Sequence, residues 1–441
     1  MNAGTGTHVA GASAGAAGVA GAAGVAGAGG RTGRRVSLGL VAWIGCLLVV
    51  LVMGLAAWLY QMANGLSVTN LNNVVMWGQY ILFFMFFVGL SAGGLIVASA
   101  GRLFGVARFR PIVRLAVLEA TVAIMLAALF LLPDIGRPER IWHLVAYANP
   151  TSPMIWDIAI VTVYFTLSAV YTWLYTRQDL ARAGSPLAFG TKASEAGAAR
   201  DDAVKGALAW VALPAAVLLH SITAWIFGLQ ISRGFWYSAI MAPLFVSSAL
   251  VSGLALVILL ALTLRRLRRL DFPAELVGYL GGLLGVFIAV EAFFVFCETL
   301  TAAYPGAAFE SEPARRLLTG PYAGFFAFEV VVGLLIPFLI LAWRSTRLRT
   351  WGVAAASTLA IAGIYVHRLN IVLNGLSYPL IGDPPGVATG DVASRLQRFS
   401  LSYFYVPSLV EWLIVAGVLA FGALVFTLAT LVLPLREGEA H

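Results

Sequence analysis

Residues Asp134 to Asp157 read DIGRPERIWHLVAYANPTSPMIWD, the one long connection in the chain dense in Pro, Arg, Trp, His, Asn and Asp. Apolar runs flank it, Ile112 to Pro133 before and Met154 to Tyr175 after. At about 1.5 Å of rise per residue, each crosses roughly 30 Å of hydrocarbon as a helix. A polar connection between two such runs belongs at a membrane surface, and the rest of the chain is read outward from it.

Composition agrees with a membrane solvent. Of 441 residues, 60% are hydrophobic and 11% charged, with a mean hydropathy of +0.90, far from the balance of a soluble domain. The formal charge of +8 does not point to nucleic acid, because the basic residues sit in short clusters between apolar runs and not on one polar surface. Both cysteines, Cys46 and Cys297, fall inside apolar runs without a CxxC or CxxCH context. No iron–sulfur, zinc or c-type haem motif is visible, and no metal-binding residues are nominated.

Eight further apolar runs join the two that flank the opening stretch: Leu38 to Met62, Val75 to Gly101, Ala207 to Leu229, Ile240 to Leu264, Leu276 to Leu300, Phe325 to Trp343, Gly352 to Leu373 and Leu409 to Leu433. The fold class is therefore an all-α integral membrane protein of about ten transmembrane helices. Most Lys and Arg fall in the tail before the first run, in every second connection and at the C-terminus, including Arg108, Arg110 and Arg265, Arg266, Arg268 and Arg269. Basic loops stay cytoplasmic, so both termini are expected inside. The Asp134 to Asp157 connection, with those around Glu310 and Asp383, is expected on the outer face. Residues 1–35, nearly all small, are expected to be a disordered Gly/Ala-rich cytoplasmic tail, 36–435 the membrane domain and 436–441 a cytoplasmic C-terminal tail.

Helices two and six carry loosely similar text, FVGLSAGGLIV from Phe87 and FVSSALVSGLALV from Phe245. Small residues at near-helical spacing allow close approach. If the similarity is an internal repeat, helices two to five and six to nine form two four-helix bundles with helices one and ten peripheral.

Ionisable side chains within hydrocarbon cost about 2.5 to 3.5 kcal/mol on insertion scales, so those present are paired, line a cavity or are functional. Here they are Glu119, His220, Glu291, Glu298, Glu329, His367, Arg368 and Glu411. His367, Asn370 and Asn374 fall on one helical stripe, and Arg368 is an expected partner for Glu329 or Glu298. Eight such groups suggest an internal polar path. At the outer mouth, His143 and Asp157 suit proton chemistry, because His titrates near neutral pH and a partly buried carboxylate moves toward it.

The segment from Gly136 to Asp157 resembles the signature of the NrfD/polysulfide-reductase family (PsrC-like) of quinone-reactive membrane subunits. Leu218 to Gly253 is similar to its second half-motif. HRLNIVLNG from His367 and YFYVPSLVEW from Tyr403 resemble the longer ten-helix branch that includes the HybB-type hydrogenase subunit. The resemblance implies a multi-pass subunit of the bacterial inner membrane, with neither haem nor iron–sulfur cluster in this chain. It would exchange electrons and protons between menaquinone or ubiquinone and an extracytoplasmic ferredoxin-like four-cluster iron–sulfur subunit. That subunit would be attached in turn to a molybdopterin enzyme, hydrogenase or cytochrome. The resemblance nominates Asp134, Arg137, His143, Asn149 and Asp157 for the quinone pocket, with His143 contacting a quinone oxygen and Asp157 tuning or accepting its proton; if protons are drawn from the cytoplasm, as the family allows, Glu119, His220 and Glu291 are proton-path candidates.

Three other readings stand beside it: a secondary transporter or proton-translocating subunit without quinone chemistry, using the same buried acids; a purely structural anchor; and a b-type cytochrome with His220 and His367 as axial ligands.

Overall fold

The computed structural model describes residues 37–191, 193–306, 308–377 and 404–435, with backbone alone at 308–310. The expected tails and the connection around Asp383 lie outside the described residues. Among those described, the chain is helical without strands, and ten helices are long and apolar enough to cross a membrane. They are α1 (Leu38–Asn64), α2 (Gln79–Leu103), α3 (Arg110–Asp134), α4 (Pro153–Arg182), α5 (Glu195–Gly228), α6 (Met241–Arg266), α7 (Ala274–Ala303), α8 (Ala323–Ala342), α9 (Thr350–Asn374) and α10 (Leu409–Val432).

Where these bounds depart from the apolar runs, polar caps explain it. Ser194 accepts from the Gly197 amide at 3.1 Å and starts α5 well before its first apolar stretch. The polar first turns then place Asp201 against Arg177 and Asp202 against Arg102. At the entry to α2, the Asn72 carboxamide accepts from the amides of Val74 and Val75. That turn delays the helix to Gln79.

Helix α2 lies innermost, with nearly every residue from Gln79 to Ser99 buried, whereas α1 buries only Leu47, Gly54, Ala57 and Gln61. It packs against α3, α5 and α6. In hydrocarbon no hydrophobic gain separates helix from lipid, so close backbone approach carries association. Gly93 and Gly253, one from each of the two similar stretches, meet at the α2–α6 crossing, where a Cβ on Gly93 would stand 2.6 Å from the Gly253 Cα. Gly54 and Gly417 make the equivalent approach between α1 and α10.

Two helices depart from α geometry. Residues Phe328–Leu335 of α8 and Asn370–Asn374 of α9 are π-helical. Such segments reorient side chains and recur at functional positions.

Candidate functional site

Where α3 ends, side chains of α1, α2, α9 and α10 form a polar network beside its last turn. The fully buried Tyr80 hydroxyl donates to Gln61 Oε1 at 2.5 Å, and Gln61 Nε2 donates to the Pro133 carbonyl at 2.7 Å. That carbonyl lies in the last turn of α3 and lacks an intrahelical partner. Gln79 Nε2 donates to the Tyr365 hydroxyl at 2.7 Å. Its backbone amide donates to the Tyr405 hydroxyl at 2.9 Å, and Tyr405 in turn donates to Glu411. Burial and the adjacent carboxylate hold the Tyr405 phenol well above its usual pKa. Glu411 also accepts from the amides of Ser408 (2.8 Å) and Asn70 (3.1 Å), while the Ser408 hydroxyl accepts from the Glu411 amide. This buried acid is a capping-box residue that ties the α1–α2 connection to α10.

At Pro133 this network adjoins an apolar cleft between α1, α3 and α10, lined by Leu51, Trp58, Leu132, Pro133, Ile414 and Phe421. Two buried polar atoms have no hydrogen-bond partner, Nε1 of the lining Trp58 and Oδ1 of Asp134, the residue that follows the lining Pro133. Asp134 also interacts electrostatically with Glu411. A buried donor and a buried carboxylate oxygen without partners are costly unless a ligand or water completes them. An indole can donate to an oxygen-bearing group and a carboxyl can exchange a proton, while the apolar walls of the cleft can hold a hydrocarbon body. A second cleft, between α7 and α8, is walled by apolar chains with Thr299 as its hydroxyl.

The other nominated residues are dispersed. Asp157 is buried and accepts from the Thr223 hydroxyl of α5 at 2.5 Å. His143 is exposed on a four-residue helix, with its ring edge-on to Trp142 at 4.0 Å and to Tyr147 at 5.4 Å. The two are not joined by a hydrogen bond. Arg137 is exposed, and Asn149 folds its own turn by accepting from the Thr151 amide and hydroxyl. Of the five residues nominated for the quinone pocket, Asp134 is the one beside the cleft.

A second constellation lies inside the membrane region. His367 Nδ1 stands 2.8 Å from Glu329 Oε1, and Asn370 Nδ2 donates to Glu329 Oε2 at 2.7 Å. His367 Nε2 is 3.9 Å from Glu291, which accepts from the Ser247 hydroxyl. The expected pairing of Arg368 with Glu329 or Glu298 is not made. Arg368 donates to Ser248 and covers the Phe245 ring with its guanidinium carbon 3.9 Å from the centroid. Adjacent residues on a helix diverge by about 100°, so only one of His367 and Arg368 can face α8.

Glu119 and His220 continue this polar line along α2. His220 Nδ1 faces the Ala216 carbonyl at 2.7 Å and Nε2 the Val88 carbonyl at 3.1 Å. With both nitrogens directed at carbonyls, the ring offers none to an axial metal. The Ser91 hydroxyl reaches the same Val88 carbonyl, and Tyr164 donates to the Ser91 carbonyl at 2.6 Å. Glu119 interacts electrostatically with Tyr164 and with the Gly94 backbone, and both its oxygens are buried. Arg368 is within electrostatic reach of His220 and of Glu291, Glu298 and Glu329. Trp58, Gln61, Tyr80 and Tyr164 escape sequence reasoning because they are neutral; the lone amide of Gln61 within an apolar run is the one available signal.

Residues 67–379 match the family described as polysulphide reductase, NrfD. A Halobacterium salinarum protein, provisionally named as a membrane subunit of dimethyl sulfoxide reductase, is 39% identical over 90% of this chain and 92% of its own length. A selenate reductase subunit of Mesobacillus selenatarsenatis is 26% identical, covering 89% of this chain and 94% of itself. The Hdr-like menaquinol oxidoreductase integral membrane subunit of Archaeoglobus fulgidus is 26% identical, covering 85% and 89%.

Proposed function

The chain belongs to the NrfD polysulphide-reductase family, and from that premise we propose that it is the quinone-reactive membrane subunit of a respiratory redox complex. The carrying observation is the apolar cleft lined by Trp58 and Pro133, where the buried Trp58 Nε1 and the buried Oδ1 of the next residue after Pro133, Asp134, have no hydrogen-bond partner. An isoprenoid quinone, as menaquinone or ubiquinone, would take up two electrons with two protons when reduced and release them when its quinol is oxidised. The cleft walls would hold its apolar body and exclude water. Trp58 would donate to a ring oxygen, and Asp134 would take or give a proton there. Tyr80, Gln61 and the Pro133 carbonyl fix the end of α3 and so position Asp134.

The finer assignments belong to the same proposal. The Asp134 to Asp157 connection, with exposed Trp142, Val145 and Tyr147 around His143, would dock an extracytoplasmic ferredoxin-like four-cluster iron–sulfur subunit. A molybdopterin enzyme, hydrogenase or cytochrome subunit would lie beyond it. On this reading the loop would lie on the periplasmic face of a bacterial inner membrane, with both termini cytoplasmic. The ring of contacts α2–α3–α4–α5 and the ring α6–α7–α8–α9 support two four-helix bundles. Glu119, His220 and Glu291 would handle protons along the buried polar line, with Asp157 and Thr223 beside it on α4 and α5. That line also favours a second reading, proton translocation without quinone chemistry at this chain.

The experiment is Asp134→Asn and Trp58→Phe in the assembled complex, measuring quinol-coupled turnover and quinone affinity. Asn keeps the shape and removes the base, so kcat is expected to fall on the order of a hundred-fold, within the range for a lost general base. Phe is expected to raise KM for quinol. Unchanged kinetics in both variants would remove this cleft from the reaction and leave the proton-translocation reading.

A further inference from the structure

At the helix ends remote from the Asp134 to Asp157 connection, a cavity of about 570 Å³ opens between α2, α3, α4 and α5. We propose that it binds the phosphate of an anionic phospholipid. Four cations line it, Arg102, Arg110, Arg114 and Lys205, against the single acid Asp202. Arg102 donates to Asp202 at 2.5 Å and to the Tyr175 hydroxyl at 2.9 Å. Lys205 lies 3.5 Å from the same carboxylate, with its ammonium 4.8 Å from the Tyr175 ring centroid. One carboxylate thus serves two cations. Arg114 is matched by Asp179 at 2.6 Å, itself shared with Arg182. Arg110, exposed at the first position of α3, adds its charge at the rim.

The excess is held where water is scarce. The Arg102 side chain is 24% exposed and that of Lys205 15%. Partly desolvated cations gathered around one acid favour a further anion, and basic pockets between transmembrane helices are a recognised receptor for lipid phosphates. The surroundings identify a lipid source. Trp210 lines the cavity and is strongly exposed, Phe104 is exposed on the adjoining turn, and Val211 and Leu218 continue an exposed apolar face along α5. An indole at the head-group level, next to a hydrocarbon-facing helix side, fits a ligand with a charged head and acyl chains. The quinone cleft lies at the opposite helix ends, so this inference does not rest on the function proposed above.

The test uses the complete complex, purified and delipidated in neutral detergent, with phosphatidylglycerol, phosphatidylcholine and inorganic phosphate as probes. Native mass spectrometry and thermal midpoints are read for wild type, for Arg110→Gln, and for Arg110→Gln with Lys205→Gln. Phosphatidylglycerol is expected to be retained by wild type and to raise its midpoint, with retention weakened on the order of ten-fold in the double variant and reduced at high salt. Equal effects of phosphatidylcholine would overturn the anionic preference. Equal protection by inorganic phosphate would reassign the cavity to a soluble anion. Retention unchanged in Arg110→Gln, a rim substitution that leaves the packed helices intact, and in the double variant would overturn the site itself.

Discussion

His367 Nδ1 lies 2.8 Å from Glu329 Oε1 at the point where the π-helical segment of α8 faces the end of α9. Both groups are buried, and the same carboxylate also accepts from Asn370. In a low-dielectric interior, truncating one member of such a pair leaves the other uncompensated at about 3 to 5 kcal/mol. Glu329→Ala is therefore expected to lower the thermal midpoint of the complex sharply. Glu329→Gln retains an acceptor for His367 and is expected to lose less. A Glu329→Ala protein as stable as wild type would sink this account of the cluster.

The α2–α6 crossing gives a steric prediction. Gly93 and Gly253 meet backbone to backbone, so a methyl at either position must push the helices apart. Overpacking of this kind costs about 1 to 3 kcal/mol. Gly93→Ala is expected to reduce the yield of assembled complex, and Gly93→Leu to abolish it. The control is Gly45→Ala in α1, where a Cβ meets nothing. If Gly93→Leu assembled as well as Gly45→Ala, the crossing would not carry the packing.

Glu411 yields a different expectation from the other buried acids. Its carboxylate is occupied by Tyr405 and by the amides of Ser408 and Asn70. Loss of the Ser408 cap by Ser408→Ala costs about 0.5 to 2 kcal/mol. The thermal midpoint should fall with quinone affinity unchanged, and a selective loss of quinone affinity would contradict the assignment of Glu411 as a cap.

The ten spans were legible because uninterrupted apolar length is a local property, and a membrane solvent leaves few alternatives to helix. The family signature was legible for the same reason, being a run of adjacent residues. What stayed hidden depends on three-dimensional convergence. Trp58 and Gln61 read as part of an apolar helix, yet the fold places one at the cleft and the other on the Pro133 carbonyl. Arg368 was expected to find a carboxylate by charge alone, whereas helix geometry gave Glu329 to His367. The family resemblance also made His143 and Asp157 look like one acid–base couple, but α4 carries Asp157 into the bundle toward Thr223 while the loop leaves His143 outside.

That separation sets the last prediction. His143 is exposed, and its neighbours Trp142 and Tyr147 are 55% and 75% exposed, a cluster of amphipathic aromatics of the kind enriched at protein interfaces. Asp157 is sealed against α5. His143→Ala is therefore expected to reduce recovery of the proposed iron–sulfur partner with the membrane chain, with quinone affinity of the remaining complex unchanged. Asp157→Asn keeps an acceptor for Thr223 and is expected to leave recovery intact, so that any change it causes appears in turnover or its pH profile. Subunit stoichiometry by quantitative gel, paired with quinone titration on the same preparations, separates the two roles. Normal recovery with weakened quinone binding in His143→Ala would return His143 to the quinone pocket and move the docking surface elsewhere.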